Sequence, residues 1–191
     1  MNNPKYKAIF NKAKELFWKH GVKRVSIEEI CKEAGVSKMT FYKFFPNKIE
    51  LAKNILDDLM ENSLNRLNEL IKSDIPFSEK LKEIFLMKLE GTKNISMEFI
   101  NDIYNNPQLG LMDYMNELQN KSMGEIVKFY KDAQNKGAIR SDVKIEFILG
   151  YTKQIVKMME DDHLVSLYDQ PQDLIMESMN LLFYGIVTGN G

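Results

Sequence analysis

Between Ser37 and Lys43 the chain places two lysines, three hydroxyls and one thioether within seven residues, and no acid. A set of this kind suits a polyanion with a patterned edge. Lysine and tyrosine reach phosphates, while threonine contacts a thymine methyl or donates to a base edge. Other chemistries are poorly served. His163 follows Glu160, Asp161 and Asp162, but consecutive residues of a helix point in different directions, so a solvated helix end is expected rather than a metal site. His20 reads as a polar helix end. A glycine-rich phosphate loop, a nucleophile elbow and a His-Glu metal motif are all missing, so neither an enzyme nor a bound cofactor is expected. The single cysteine, Cys31, has no partner thiol, which excludes an internal disulfide and fits a reducing cytoplasm.

The elements that must position this run lie on either side of it. Ser26 and Glu29 have capping-box spacing, and Ile27, Ile30, Cys31 and Ala34 recur at helical intervals behind them. Gly35 can take the left-handed conformation that ends a helix. Val36 plugs the turn, and Ser37 caps a second helix, Lys38–Phe45. Pro46 stops it, lacking an N–H and crowding the preceding turn. Two short helices around a glycine turn form a helix-turn-helix, whose second helix enters the major groove. Such pairs also occur as plain core in all-α proteins, and Phe41, Phe44 and Phe45 fit either reading.

Charge favours the polyanion. Residues 1–56 hold 12 basic and 5 acidic side chains, or +7, whereas the whole chain is −1, leaving −8 for residues 57–191. A basic head on an acidic body is the pattern of a nucleic-acid module joined to something that stays off the polyanion.

Beyond these residues, ELFWKHG (Glu15–Gly21), VSIEEICKEAGVSKMTFYKFFPNK (Val25–Lys48) and the apolar Leu51 together resemble the DNA-binding domain of the TetR/AcrR family of bacterial regulators. The resemblance implies DNA-binding roles for Ser26, Ser37, Lys38, Met39, Thr40, Tyr42, Lys43 and Lys48. Ser26 would cap the second helix beside a phosphate, Tyr42 would bind a phosphate, and Lys48 would clamp one from the start of the fourth helix. Two departures stand out. Met39 occupies a position where a small residue is frequent, and Phe44 one where His or Tyr is common.

An all-α fold is expected, with a head at residues 1–47 and a helical ligand-binding and dimerisation body at 48–191. Glycine and proline are sparse and sit at boundaries, and β-type alternation is scarce. Further helices are predicted at Lys5–His20, Lys48–Ile71, Ser78–Lys93, Ser96–Asn105, Leu109–Asn135, Val143–Asp162 and Gln172–Val187. That makes nine, as the resemblance implies. No apolar run is long enough for a bilayer and MNNPKYK is no signal core, so a cytoplasmic protein without a membrane partner is expected.

Apolar stripes on the last two helices, including Ile148, Thr152, Ile155 and Met159, then Met179, Leu182, Phe183 and Ile186, fit a four-helix dimer bundle or the chain's own core. A helix-turn-helix that reads two half-sites favours the homodimer. Leu64, Phe85, Leu89, Phe99, Ile103, Tyr104, Met112, Tyr114, Met115 and Met123 could line a pocket for a small, partly apolar effector, although a Met or aromatic at helical spacing is more often core. The function expected is a ligand-responsive regulator, a repressor that binds a palindromic double-stranded operator as a homodimer. An adaptor with a vestigial head and a small helical enzyme or carrier remain as other readings.

Overall fold

The computed structural model describes residues 3–92, 95–158, 161–169 and 171–186. It is all-α. Among the described residues nine helices have five residues or more: α1 (Pro4–His20), α2 (Ile27–Glu33), α3 (Lys38–Tyr42), α4 (Lys48–Lys72), α5 (Phe77–Thr92), α6 (Met97–Tyr104), α7 (Leu111–Asn135), α8 (Ile145–Met158) and α10 (Pro171–Ile186). A single turn, α9 (Asp162–Val165), and a 3-10 turn at Pro107–Leu109 complete the set. The chain forms two compact units, Met1–Arg66 with Thr92–Ser122, and Leu67–Gly91 with Met123–Gly191.

The first unit contains the whole basic head. Its helices begin where side chains can satisfy free N–H groups. Asn3 accepts from Lys5 N at 2.9 Å, Ser26 Oγ from Glu29 N at 3.1 Å, and Ser96 Oγ from Phe99 N at 3.2 Å. Ile9, Ala13 and Phe17 of α1, Ile30 and Cys31 of α2, Phe41 and Phe45, and Leu51 and Ile55 of α4 close into one core. Tyr6 links α1 to Phe45 and Phe44, with ring centroids 5.1 and 5.8 Å away. Phe41 and Phe45 are therefore core, and Phe44 is half-buried against Tyr6.

α3 is shorter than the predicted Lys38–Phe45. After Tyr42 the chain tightens, and Phe44 N donates to Phe41 O at 2.9 Å, three residues back. Pro46 disfavours a helical conformation at Phe45, so the last turn winds up instead of continuing.

The second unit packs Leu81 of α5, Phe129, Tyr130 and Ala133 of α7, Ile148 and Ile155 of α8, and Met179, Leu182 and Ile186 of α10. Arg140 ties off the end of α10: its backbone N–H donates to Ile186 O at 2.9 Å and its guanidinium to Gly185 O at 3.1 Å, a cation at a helix C-terminus. Asp142 holds that guanidinium through two bonds of 3.0 and 2.7 Å.

Two predicted helices are interrupted. The stretch predicted as Leu109–Asn135 starts with the 3-10 turn, and Gly110 (φ 63°) breaks it before α7. The stretch predicted as Val143–Asp162 ends as α8 at Met158. Asp161 then accepts from His163 N and Leu164 N at 3.0 and 3.1 Å, which starts a new turn.

Candidate nucleic-acid interface

α3 is held by its buried side, and its other side faces water. Phe41 is fully buried, while Met39 is 72% and Tyr42 53% exposed, and Ser37, Lys38 and Lys43 are also exposed. Thr40 is half-buried. Ser37 Oγ accepts from Thr40 N at 3.2 Å and lies 3.1 Å from Thr40 Oγ1, so the cap and the helix's first hydroxyl form one pair. Lys38, at the first position of α3, is ion-paired with Glu28 in the first turn of α2. That pair raises the Lys38 pKa and lowers that of Glu28. Cys31, buried behind them, has its thiol pKa pushed up by burial first and by Glu28 second, so it stays an un-ionised core residue.

Ser26 and Lys48 sit at the edge of this face. Ser26 is exposed and caps α2. Lys48 is half-buried, and its ammonium donates to Lys23 O and to Val25 O, both at 2.8 Å. Two of its three N–H groups thus fasten the α1–α2 loop to α4, and one is left for a phosphate. Burial lowers the Lys48 pKa, and the charge of Asp102 works against that shift.

Asp102 is a residue that sequence reasoning missed. It lies in the apolar α6 run MEFINDIY, and nothing in that pattern marks it. Only 8% exposed, it accepts from Lys23 N at 2.8 Å. Gly21 (φ 78°) lies directly against it: a Cβ there would stand 2.5 Å from Asp102 Oδ2 and 3.2 Å from Glu98 O. Only glycine permits both that backbone and that approach. Ser96 N donates to Trp18 O at 2.9 Å, and the Trp18 and Phe99 rings lie 4.6 Å apart. α6 is thereby pinned to the loop that carries the exposed Lys23 and Arg24.

The candidate effector residues are scattered. Phe99 and Ile103 are buried in the core of the first unit, where Met115 and Tyr114 pack against it. The Tyr114 hydroxyl donates to Asp57 at 2.6 Å, and burial together with that bond pushes its pKa up to about 12. Leu64 is half-buried, while Tyr104 and Met112 are exposed. Met123 is half-buried in the second unit, and the side chains of Phe85 and Leu89 lie outside the described residues. Separately, α1 and α4 border an open polar cleft of about 510 Å³, lined by Tyr6, Lys14 and Asp58 among others.

The residues of the expected dimer stripe pack inward in the protomer. Ile148, Ile155 and Ile186 are at most 3% exposed, and Thr152, Met179 and Leu182 are buried too. Phe183 is half-buried against the same core, and Met159 lies outside the described residues. These side chains fill the protomer's own interior. Among the described residues, the large apolar side chains that α8 and α10 present to water are Phe147, Tyr151, Leu181 and Tyr184. Their helices are apolar on two sides, and the periodicity that selected one stripe passed over the other.

Residues 9–55 match the family model of bacterial regulatory proteins, tetR family. The head is a tetR-family helix-turn-helix domain. The chain is a helix-turn-helix transcriptional regulator, and the family is not one of enzymes. It is 26% identical over 188 residues to the fatty acid metabolism regulator protein of Bacillus subtilis (strain 168), an alignment covering 94% of this chain and 92% of that one. Two solved structures share its fold. A transcriptional regulator from Saccharomonospora viridis in complex with choline has a TM-score of 0.74 at 16% identity, over 95% of this chain and 97% of that one. The regulator FadR from Bacillus subtilis in complex with stearoyl-CoA has a TM-score of 0.73 at 21% identity, over 95% and 99%. Among the described residues no helix is long and apolar enough to cross a membrane.

Proposed function

We propose that this TetR-family regulator is a repressor that binds a palindromic operator as a homodimer and is released by a small, partly apolar effector. Residues 1–47 act as the DNA-binding head, with Ser26, Ser37, Lys38, Met39, Thr40, Tyr42, Lys43 and Lys48 at the duplex. Residues 48–191 supply the effector and dimer surfaces. The observation that carries the reading is α3: a side-chain-capped helix, anchored by Phe41, that turns Lys38, Met39, Tyr42 and Lys43 to solvent. The N-terminal residues of such a helix meet base edges in the major groove.

Phe147, Tyr151, Leu181 and Tyr184 support the homodimer. Large rings and aliphatic chains left in water on two packed helices are favourable to bury against a second copy. Leu64 and Met115, both in the first unit, are the candidate effector contacts in the body. Stearoyl-CoA is the first effector probe, because a relative aligned along nearly its whole length is a fatty acid regulator.

Selection of duplexes from a random-sequence pool, followed by fluorescence anisotropy at fixed salt, tests the reading. A two-fold symmetric motif is expected, and Tyr42→Ala or Lys43→Ala weakens binding to it about 5- to 50-fold. Recovery of no motif, or of a single asymmetric half-site, would overturn it. Adding stearoyl-CoA to the complex then asks whether an acyl chain is the signal.

A further inference from the structure

We infer that Glu28 is a specificity-determining residue, which holds the Lys38 ammonium off the phosphate backbone and presents it to a base edge. The inference rests on the proposed reading of α3 as the helix that enters the major groove.

The pair joins two elements. Glu28 projects from the first turn of α2, and Lys38 is the first residue of α3, where base contacts are made. Both side chains are more than half exposed, so the pair does little for folding. Its consequence lies in what Lys38 can do next. A free lysine is a point charge on a long flexible stem and settles readily on a phosphate. Paired with Glu28, it is close to neutral as a unit, and it contributes little to the counterion release that drives non-specific binding. A carboxylate carried up to a polyanion is a handicap if Lys38 serves as a phosphate anchor. It is an advantage if Lys38 reads bases. The stem is ordered before binding, so less side-chain freedom is lost on contact. The ammonium keeps two further N–H groups for acceptors such as guanine O6 and N7. The carboxylate also repels any register that would bring a phosphate to this point, a repulsive element of the kind that specificity requires.

Ser37 and Thr40 reinforce the contrast. Their hydroxyls are spent on each other and on the helix cap, which leaves Lys38 as the polar group at the start of α3 that is aimed by a neighbouring helix rather than by its own. Lys43, at the end of α3, has no ion pair among the described residues and is the natural phosphate partner.

The test uses the full-length wild type, Glu28→Gln, Lys38→Gln and the double variant, with circular dichroism checking that each stays folded. Each is titrated against the duplex selected by the wild type and against a scrambled duplex, over a range of salt. Glu28→Gln is expected to bind scrambled DNA more tightly, with a salt slope steeper by about one. Its ratio of selected to scrambled affinity should fall about fivefold or more. With Lys38 already Gln, the same change should leave the ratio within about twofold. If Glu28→Gln raises both affinities equally, Glu28 is only a charge in the field and the inference fails. If the ratio falls just as far without Lys38, Glu28 acts directly and the inference fails. If the wild type selects no motif, the DNA reading falls and takes this inference with it.

Discussion

α3 in one compact unit and the α8 and α10 helices in the other present different surfaces to water. In the unit that holds the head, Phe17, Phe41 and Phe45 lie inside, and α3 shows solvent the long side chains of Lys38, Met39, Tyr42 and Lys43. In the other unit Phe147, Leu181 and Tyr184 stand 63–82% exposed, while Ile148, Ile155 and Leu182 on the same helices fill the core. One surface suits a hydrated, charged partner that is gripped by individual contacts. The other suits a dry partner that removes apolar area from water. α3 itself is held by the Ser37 cap at its start and by Phe41 beneath it.

The sharpest way to break this comparison is to remove the anchor beneath the polar surface. Phe41→Ala is expected to lower stability by about 3–5 kcal/mol, seen as a large drop in thermal midpoint together with loss of DNA binding. If the protein melts as before, α3 is not held as described. Next comes the apolar surface. Leu181→Asp with Tyr184→Asp should convert a dimer to a monomer in sedimentation, weakening association about 100-fold or more. Ile148→Val, one residue along from Phe147, should leave assembly unchanged and lower stability by about 0.5–1.5 kcal/mol. If the two effects were exchanged, the inward and outward faces would have been assigned the wrong way round.

A smaller effect is expected at Lys48, which ties the α1–α2 loop to α4. Lys48→Met leaves the Lys23 and Val25 carbonyls to water and should destabilise the head by about 1–2 kcal/mol. It should also speed hydrogen exchange at the Lys23 amide that Asp102 holds. A loss of DNA affinity with unchanged exchange would make Lys48 a phosphate ligand alone. The smallest change is Ser37→Ala. Removing that cap should cost about 1 kcal/mol by chemical denaturation, and a neutral result would mean that Phe41, not the cap, sets α3.

The head was legible because its signals are local. Ser26 caps and Glu29 follows at three residues; Gly35 turns with φ 64°; Ser37 caps again; Pro46 stops the helix. Each acts within one turn of chain, so spacing alone locates it. The same reasoning was less decisive in the body. Ile148, Thr152, Ile155, Met179 and Leu182 recur at helical spacing, but periodicity finds an apolar face without saying whether the neighbour is the same chain or another. Glu28 and Asp102 carried no signal at all, because a carboxylate in a helix reads as solvated until a distant partner is placed beside it.

By itself, then, the amino-acid sequence determined the all-α class, the helix-turn-helix, its polar face and the charge split, all consequences of short-range capping, turn chemistry and composition. Only the tertiary structure decided which of two apolar faces on α8 and α10 is interior, that Lys48 binds main-chain carbonyls, that Asp102 meets Gly21 and Lys23, and that Glu28 holds Lys38. Those are contacts between groups 10 to 81 residues apart in the chain. No local rule reaches across such a separation; packing of whole helices does.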